Sequence, residues 1–289
     1  MSRSAETGPE ALPLRHALAL GLLHGPAELL PVSSSGHTTL VPWLLGWPYP
    51  SLEPELRKAF EVALHAGTAA GLLIALRGEV GEATRDLDRR RVTLIFGSFV
   101  PPAVAGLALE SVIERRLGKP GSIAFGLAAG GLLMAWADAR GTRTRVSDDA
   151  RGGDALALGL AQSAALVPGF SRGGMTLAAM RARGFGLTDA SALSRHVALP
   201  VIAGASVLKS ARLVQRGVPA GFVAPLGLGA GASFLSTLAA ARLVPVERVG
   251  SLAPYAAYRV GLAALVARRL RRALVQAAPP LDAPGTVGQ

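Results

Sequence analysis

The chain has 289 residues, half of them hydrophobic and only 17% charged, with a mean hydropathy of +0.39 and a formal net charge of +11. Soluble domains carry about 25% charged residues, and aromatics here are only 5%, so the apolar content is Ala, Leu, Val and Gly, a membrane composition rather than a large soluble core. The lack of cysteine excludes disulfides and thiolate metal sites, and the Arg clusters lie between apolar runs, as in RDLDRRR (85–91) and RRLRR (268–272), which reads as membrane anchoring and not as a nucleic-acid face.

From the N-terminus, MSRSAETGPEALPLRHA has acidic residues, two prolines and no small-residue cleavage site behind a clean apolar core. It reads as a short tail leading into a first membrane segment, not as a signal peptide. The first apolar run, 11–47, is interrupted midway by prolines, serines and glycines. Uninterrupted stretches follow at about 56–76, 92–111 and 121–137, each near the roughly 20 residues that a spanning helix needs. A charged segment, 138–153, leads to a second interrupted run, 154–180, and then to stretches at 191–213, 220–241 and 253–270. Charge concentrates in the connections 77–91, 112–120, 138–153, 181–190 and 242–249. The expected fold is an all-α integral membrane protein: a polytopic helical bundle of about six spanning helices and two re-entrant helix hairpins. The loops 77–91 and 138–153 fall on one side, and their arginines make that side cytoplasmic, although RRLRR argues the other way.

The two interrupted runs resemble each other. LGLLHGPAELLPVSSSGHTTL (20–40) aligns, with a one-residue gap, with LGLAQSAALVPGFSRGGMTL (158–177). Gly21 meets Gly159, His24 meets Gln162 and Pro31 meets Pro168. Beyond the gap Ser34 meets Ser171, Gly36 meets Gly173, Thr39 meets Thr176 and Leu40 meets Leu177. Each copy precedes three candidate spans, so the single membrane domain divides into halves of approximately 11–137 and 154–275, joined by 138–153. An odd number of spans per half inverts the second copy, and inverted repeats place broken helices at their interface. Irregular backbone at membrane depth must be buried in protein or line a polar cavity. Each run is therefore expected to form a hairpin, with the two tips meeting. The alternative is one proline-kinked spanning helix per run.

Ionisable groups within membrane segments cost about 2.5–3.5 kcal/mol each on insertion scales and persist when paired or used. Glu28, His37 and Arg172 are such groups. If the tips meet, they share a pocket with Ser33, Ser34, Ser35 and Ser171. Arg offers a planar fork of donors that suits phosphate, and SSSG and SRGG each open a half-helix whose free N–H groups favour anions. Such a cradle suits a diphosphate, with Glu28 and His37 supplying acid, base or metal-ligand capacity. Blander roles stand beside these: Glu28 as a structural partner of Arg172, His37 as a helix-bridging imidazole, and the serines as small residues for close helix contact. His65, in FEVALHAGTAAG, is expected to be a packing or helix-bridging histidine. Asp138 and Asp154 are expected to be solvated, and Arg259 to snorkel to the interface.

These residues resemble a known family, the undecaprenyl-diphosphate phosphatases of the bacitracin-resistance type. Its first motif, Glu-x3-Glu followed by F-L-P-[IV]-S-S-[ST]-G-H, stands here as HGPAELLPVSSSGH, and its second, P-G-x-S-R-S-x-x-T, as PGFSRGGMT (168–176). FEVALHAGTAAGLL (60–73), SFVPPAVAGL (98–107), TDASALSRHVALPVIAGAS (188–206) and PYAAYRVGLA (254–263) are weaker matches. The resemblance implies a multi-pass enzyme of the bacterial plasma membrane that removes the terminal phosphate of a C55 polyprenyl diphosphate and so recycles the carrier of cell-wall precursors. It implies catalytic roles for Glu28, Ser34, His37 and Arg172, with Ser34 as nucleophile and His37 as an alternative nucleophile or acid/base partner. Ser33, Ser35, Gly36, Ser171, Gly173, Gly174 and Thr176 are implied to bind substrate. A divalent cation, Mg2+ or Ca2+, is implied near Glu28. The expected partners are the lipid diphosphate and the bilayer, and no nucleic acid; a homodimer is left open.

Two positions depart from the pattern. His24 stands where the family has the first Glu, and Gly173 where it has the second Ser of S-R-S. His24 lies four residues before Glu28, so one helix face presents both, and a His–Glu pair can bind metal or shuttle a proton. A second lipid phosphatase class, with P-S-G-H and S-R-x5-H motifs, is excluded because Ala178 occupies the position of its required His. The alternative from another class is a transporter or flippase that binds a lipid-linked or anionic substrate in the same pocket.

Overall fold

The computed structural model describes residues 12–85, 88–140 and 143–277, and its regular elements are all helical; among the described residues the only β-type contact is an isolated bridge between Arg145 and Phe185. The first half contains α1 (Leu14–Leu29), α2 (Ser34–Leu45), α3 (Pro54–Ala75), α4 (Arg77–Arg85), α5 (Arg89–Val112) and α6 (Pro120–Arg140). The second contains α7 (Gly152–Ala164), α8 (Arg172–Ala182), α9 (Leu187–Arg216), α10 (Ala220–Leu243) and α11 (Ala253–Ala277). Five helices among the described residues are long and apolar enough to cross a membrane: Pro54–Ala75, Arg89–Leu109, Pro120–Arg140, Leu187–Arg216 and Ala220–Val249. The stretch expected as a sixth span, 253–270, is helical as part of α11. Arg259, Arg268 and Arg269 keep it below the apolar measure that the other five meet. The chain is an all-α polytopic membrane protein.

Both interrupted runs are broken helices. Helix α1 has 16 residues and α7 has 13. At 1.5 Å per residue these are roughly 24 and 20 Å long, short of the ~30 Å hydrocarbon core. Each turns and packs against its own second piece, α1 on α2 and α7 on α8. The breaks are set locally. Ser33 and Ser171 adopt φ of 79° and 64°, a region non-glycine residues rarely enter. In exchange each serine caps the next helix, its Oγ accepting the N–H of Gly36 and of Gly174 respectively.

These caps fix the register between the copies. Ser33 corresponds to Ser171 and Gly36 to Gly174. Thr38, bonded to the carbonyls of Ser34 and Ser35, corresponds to Thr176, bonded to those of Arg172 and Gly173. This is the same offset that relates Gly21 to Gly159. The one-residue gap in the sequence alignment is therefore corrected. The shared proline drew the gap, but prolines in the loops are free to shift, whereas caps are tied to helix starts. Ser34 and Arg172 thus occupy the same place, the first residue of each half-helix.

The halves interlock. Helix α1 packs on α10, and α7 packs on α5. Both contacts run through a glycine: a Cβ on Gly21 would lie 2.6 Å from the Gly229 carbonyl oxygen, and one on Gly159 would lie 2.7 Å from Pro101 Cγ. Large apolar side chains such as Leu107, Phe96, Phe125 and Val207 point outward, as lipid-facing residues do.

Two expectations about charge are corrected. Asp154 is fully buried, not solvated: it accepts from Arg145 (2.8 Å), from Arg183 and from the Arg151 N–H (2.8 Å). Asp138 is also buried and joins Arg181 (2.7 Å), Ser251 Oγ (2.6 Å) and the Leu252 N–H (2.9 Å). Both carboxylates lie near helix ends, Asp154 between two arginine side chains and Asp138 against one, and each burial is compensated by this pairing. The Arg-rich loops meet as well, Arg90 donating to the Ser147 carbonyl and to Asp148, each at 2.9 Å.

Candidate active site

Glu28 lies in the last turn of α1 and faces the start of both half-helices. Ser34 Oγ donates to Glu28 Oε2 at 2.5 Å, and the Arg172 guanidinium donates to Oε1 at 2.9 Å. The two tips therefore meet on one carboxylate, each through the residue that opens its half-helix. A cavity of about 240 Å³ lies against this junction, lined by Glu28, Ser33, Ser34, Ser35, Ser171, Arg172 and Gly173 from the tips. Its further wall is α3, through Val62 and His65, and α9, through Ile202, Ser206 and Lys209. Glu28 and Arg172 stay partly accessible, with side-chain exposures of 11% and 21%. The N-terminal ends of α2 and α8 both open here, so free N–H groups and positive dipole ends favour an anion beside Arg172. A hydroxyl bonded to a carboxylate, next to an Arg and two helix N-termini, is equipped to attack a phosphorus centre and to hold the oxygens around it.

A second cavity, of about 310 Å³, shares Glu28, Arg172, Gly173 and Ile202 with the first. It extends the other way along α9, towards Arg195, which is held by Glu79 at 2.9 Å and by Glu247. The Glu28–Arg172 pair stands between the two spaces.

Other expected site residues lie around the junction rather than in it. His37 is buried, its Nδ1 donating to the Ser33 carbonyl at 2.7 Å and its Nε2 paired with the Tyr258 hydroxyl at 2.6 Å. It is absent from the lining of the first cavity, and its contacts are those of the helix-bridging alternative. Thr176 is buried and ties α8 to α9 through Ser194 Oγ, at 2.5 Å. Gly36 and Gly174 supply the capped N–H groups. Gly173 lines the cavity, and a Cβ there would meet open space, so the serine of the family motif would fit.

Arg259 does not snorkel. It is fully buried, and its guanidinium donates to Pro31 O (3.2 Å) in the first tip and to Gly169 O (2.8 Å) and Phe170 O (2.9 Å) in the second. Broken helices leave carbonyls without intrahelical partners, and a five-donor fork satisfies several at once. The sequence reading also missed Ser206, Lys209 and the position of His65 at the cavity. For His65 a signal existed: an imidazole inside an apolar helix needs a polar partner, as Glu28 did.

Two broken helices whose charged tips meet at one polar cavity define a class of polytopic membrane proteins that hold a polar site within the bilayer. Within that class the chain belongs to the family described as "Bacitracin resistance protein BacA", whose model matches residues 17–265. It is 40% identical over 262 residues to a protein of Geobacter sulfurreducens named Undecaprenyl-diphosphatase, covering 86% of this chain and 94% of that one. A protein of Moorella thermoacetica with the same name is 34% identical over 257 residues, covering 86% of this chain and 95% of the relative.

Proposed function

We propose that the protein is an undecaprenyl-diphosphatase of the bacterial plasma membrane, a hydrolase that converts undecaprenyl diphosphate to the monophosphate and so recycles the lipid carrier. Bacitracin resistance follows from this activity. The observation that carries the proposal is the single carboxylate joining Ser34 and Arg172 at the mouths of two half-helices. The polyprenyl tail stays in lipid, and the diphosphate enters the cavity. Arg172 and the N–H groups of α2 and α8 hold its oxygens. Ser34 Oγ attacks the terminal phosphorus while Glu28 takes the hydroxyl proton. The bond to the bridging oxygen breaks, and undecaprenyl phosphate leaves. Glu28 passes its proton to the departing undecaprenyl phosphate and is a carboxylate again; water then attacks the phosphoserine as Glu28 takes a water proton and returns it to Ser34 Oγ, which releases inorganic phosphate. Most of the rate enhancement comes from positioning and charge stabilisation. His37 acts by holding the Ser33 turn, and its imidazole is a positioning group in this scheme.

A divalent cation belongs to the proposal. Glu28 and His24 would hold it, and it would supply charge neutralisation beside the phosphates. His24 suits such a role: it is buried next to Glu28, and its Nε2 has no hydrogen-bond partner. A homodimer, the other partner left open, is tested by the mass of the protein–detergent particle against the 29.5 kDa of one chain.

The test is phosphate release from undecaprenyl diphosphate by purified protein in detergent. Arg172→Ala is expected to lower the rate at least ~100-fold, as removal of a donor to transition-state charge does. A wild type no faster than Arg172→Ala would overturn the enzyme proposal and leave the transporter in its place.

A further inference from the structure

His24 and His65 are prepared alike. His65 Nδ1 donates to the Glu61 carbonyl at 2.8 Å, and His24 Nδ1 pairs with Thr68 Oγ1 at 2.8 Å. In both rings the outer nitrogen is anchored to α3, the arrangement that orients metal-binding imidazoles. His24 is completely buried, and its other nitrogen, Nε2, has no partner. One ligand atom each from His24, Glu28 and His65 lie within 4.8 Å of one another. The edge-to-face contact of the two rings, 4.6 Å between centroids, accounts for their packing but not for the bare Nε2.

We infer that His24, Glu28 and His65 form a three-ligand cation site that takes a borderline transition-metal ion, such as Zn2+ or Co2+, in preference to Mg2+ or Ca2+. Two imidazoles and one carboxylate suit such ions, whereas Mg2+ and Ca2+ prefer all-oxygen shells. Metal–ligand bonds of ~2.0–2.2 Å require these atoms to close inward by up to roughly 0.8 Å, within the reach of side-chain adjustment. Three protein ligands leave positions open towards the cavity that His65 and Glu28 both line. His65 thus joins the site as a ligand, and His24 is a change of metal preference rather than a defect. The site does not rest on the phosphatase proposal: an ion bound at these residues without hydrolysis leaves it standing.

The experiment uses full-length protein carrying no histidine tag, stripped with EDTA and dialysed separately against Zn2+, Co2+, Mg2+ and Ca2+, with bound metal counted by mass spectrometry. Expected is one Zn2+ or Co2+ per chain, bound at least ~100-fold more tightly than Mg2+ or Ca2+. His24→Ala and His65→Ala should each weaken binding at least ~10-fold, whereas His16→Gln should not. His24→Glu should shift preference towards Mg2+ and Ca2+. Equal affinity for Mg2+ and Zn2+, or stoichiometric tight binding that survives loss of both His24 and His65, would overturn the inference. Should the variants fail to fold, pulsed EPR of one equivalent of Cu2+ bound to the wild type decides: couplings from two imidazole nitrogens support the site, and their absence contradicts it.

Discussion

At Arg259 a single side chain holds the two tips in one place. Its guanidinium reaches the carbonyls of Pro31, Gly169 and Phe170, groups that the broken helices cannot pair by themselves. Arg259→Met removes the donors and leaves the acceptors buried, each at about 1–3 kcal/mol. The expected outcome is a fall in thermal midpoint together with loss of phosphate release. Arg259→Lys should recover little, because an ammonium lacks the planar fork. An unchanged melting curve for Arg259→Met would show that other groups hold the tips. In sequence this residue resembled any arginine near the end of an apolar stretch. Its role depends on carbonyls far from it in the chain, which no local pattern announces. Glu28 and Arg172 were legible for the opposite reason: an unpaired charge inside an apolar run is conspicuous by itself.

Among the elements, the two half-helix hairpins were readable from their repeated Pro, Ser and Gly, and so were the positions of the long helices between charged connections. The register of the repeat was not. Prolines guided the alignment, whereas the serine caps determine the structure, and the two markers differ by one residue. The correction places Ser34 opposite Arg172, so the pseudo-symmetric site is chemically asymmetric: one half contributes a hydroxyl and the other a cation. The hairpins are seated by close contacts of α1 with α10 and of α7 with α5. A Cβ on Gly159 would sit 2.7 Å from Pro101 Cγ, so Gly159→Val should force α7 away from α5. Overpacking of this kind costs about 1–3 kcal/mol, read as a lower melting temperature in detergent. Unaltered stability would mean that this helix pair is loosely packed.

For the molecule as a whole, the directions of the two cavities along α9 connect the site to membrane topology. The first runs towards Lys209 and the second towards Arg195, Glu79 and Glu247. Arg90 joins the Arg-rich loops through Ser147 and Asp148, and the positive-inside rule places such loops in the cytoplasm. On that rule the first cavity is expected to open to the outer face, and the arginines of RRLRR (268–272) argue for the opposite orientation. The chain has no native cysteine, so single-cysteine variants report topology directly. In intact cells Lys209→Cys should react with a membrane-impermeant maleimide, while Ser147→Cys should react only after permeabilisation. The reverse pattern would turn the site to the cytoplasm.

In the proposed mechanism Glu28 works through Ser34, across a contact of 2.5 Å. The direct measurement is the rate of phosphate release from undecaprenyl diphosphate by wild type, Glu28→Gln, Ser34→Ala and the double variant, in matched detergent. Groups that act as one unit lose their effects non-additively. Each single variant should fall at least ~100-fold, and the double variant should be no slower than the slower single one. A Glu28→Gln or Ser34→Ala enzyme as fast as wild type, or losses that multiply in the double variant, would contradict the claim.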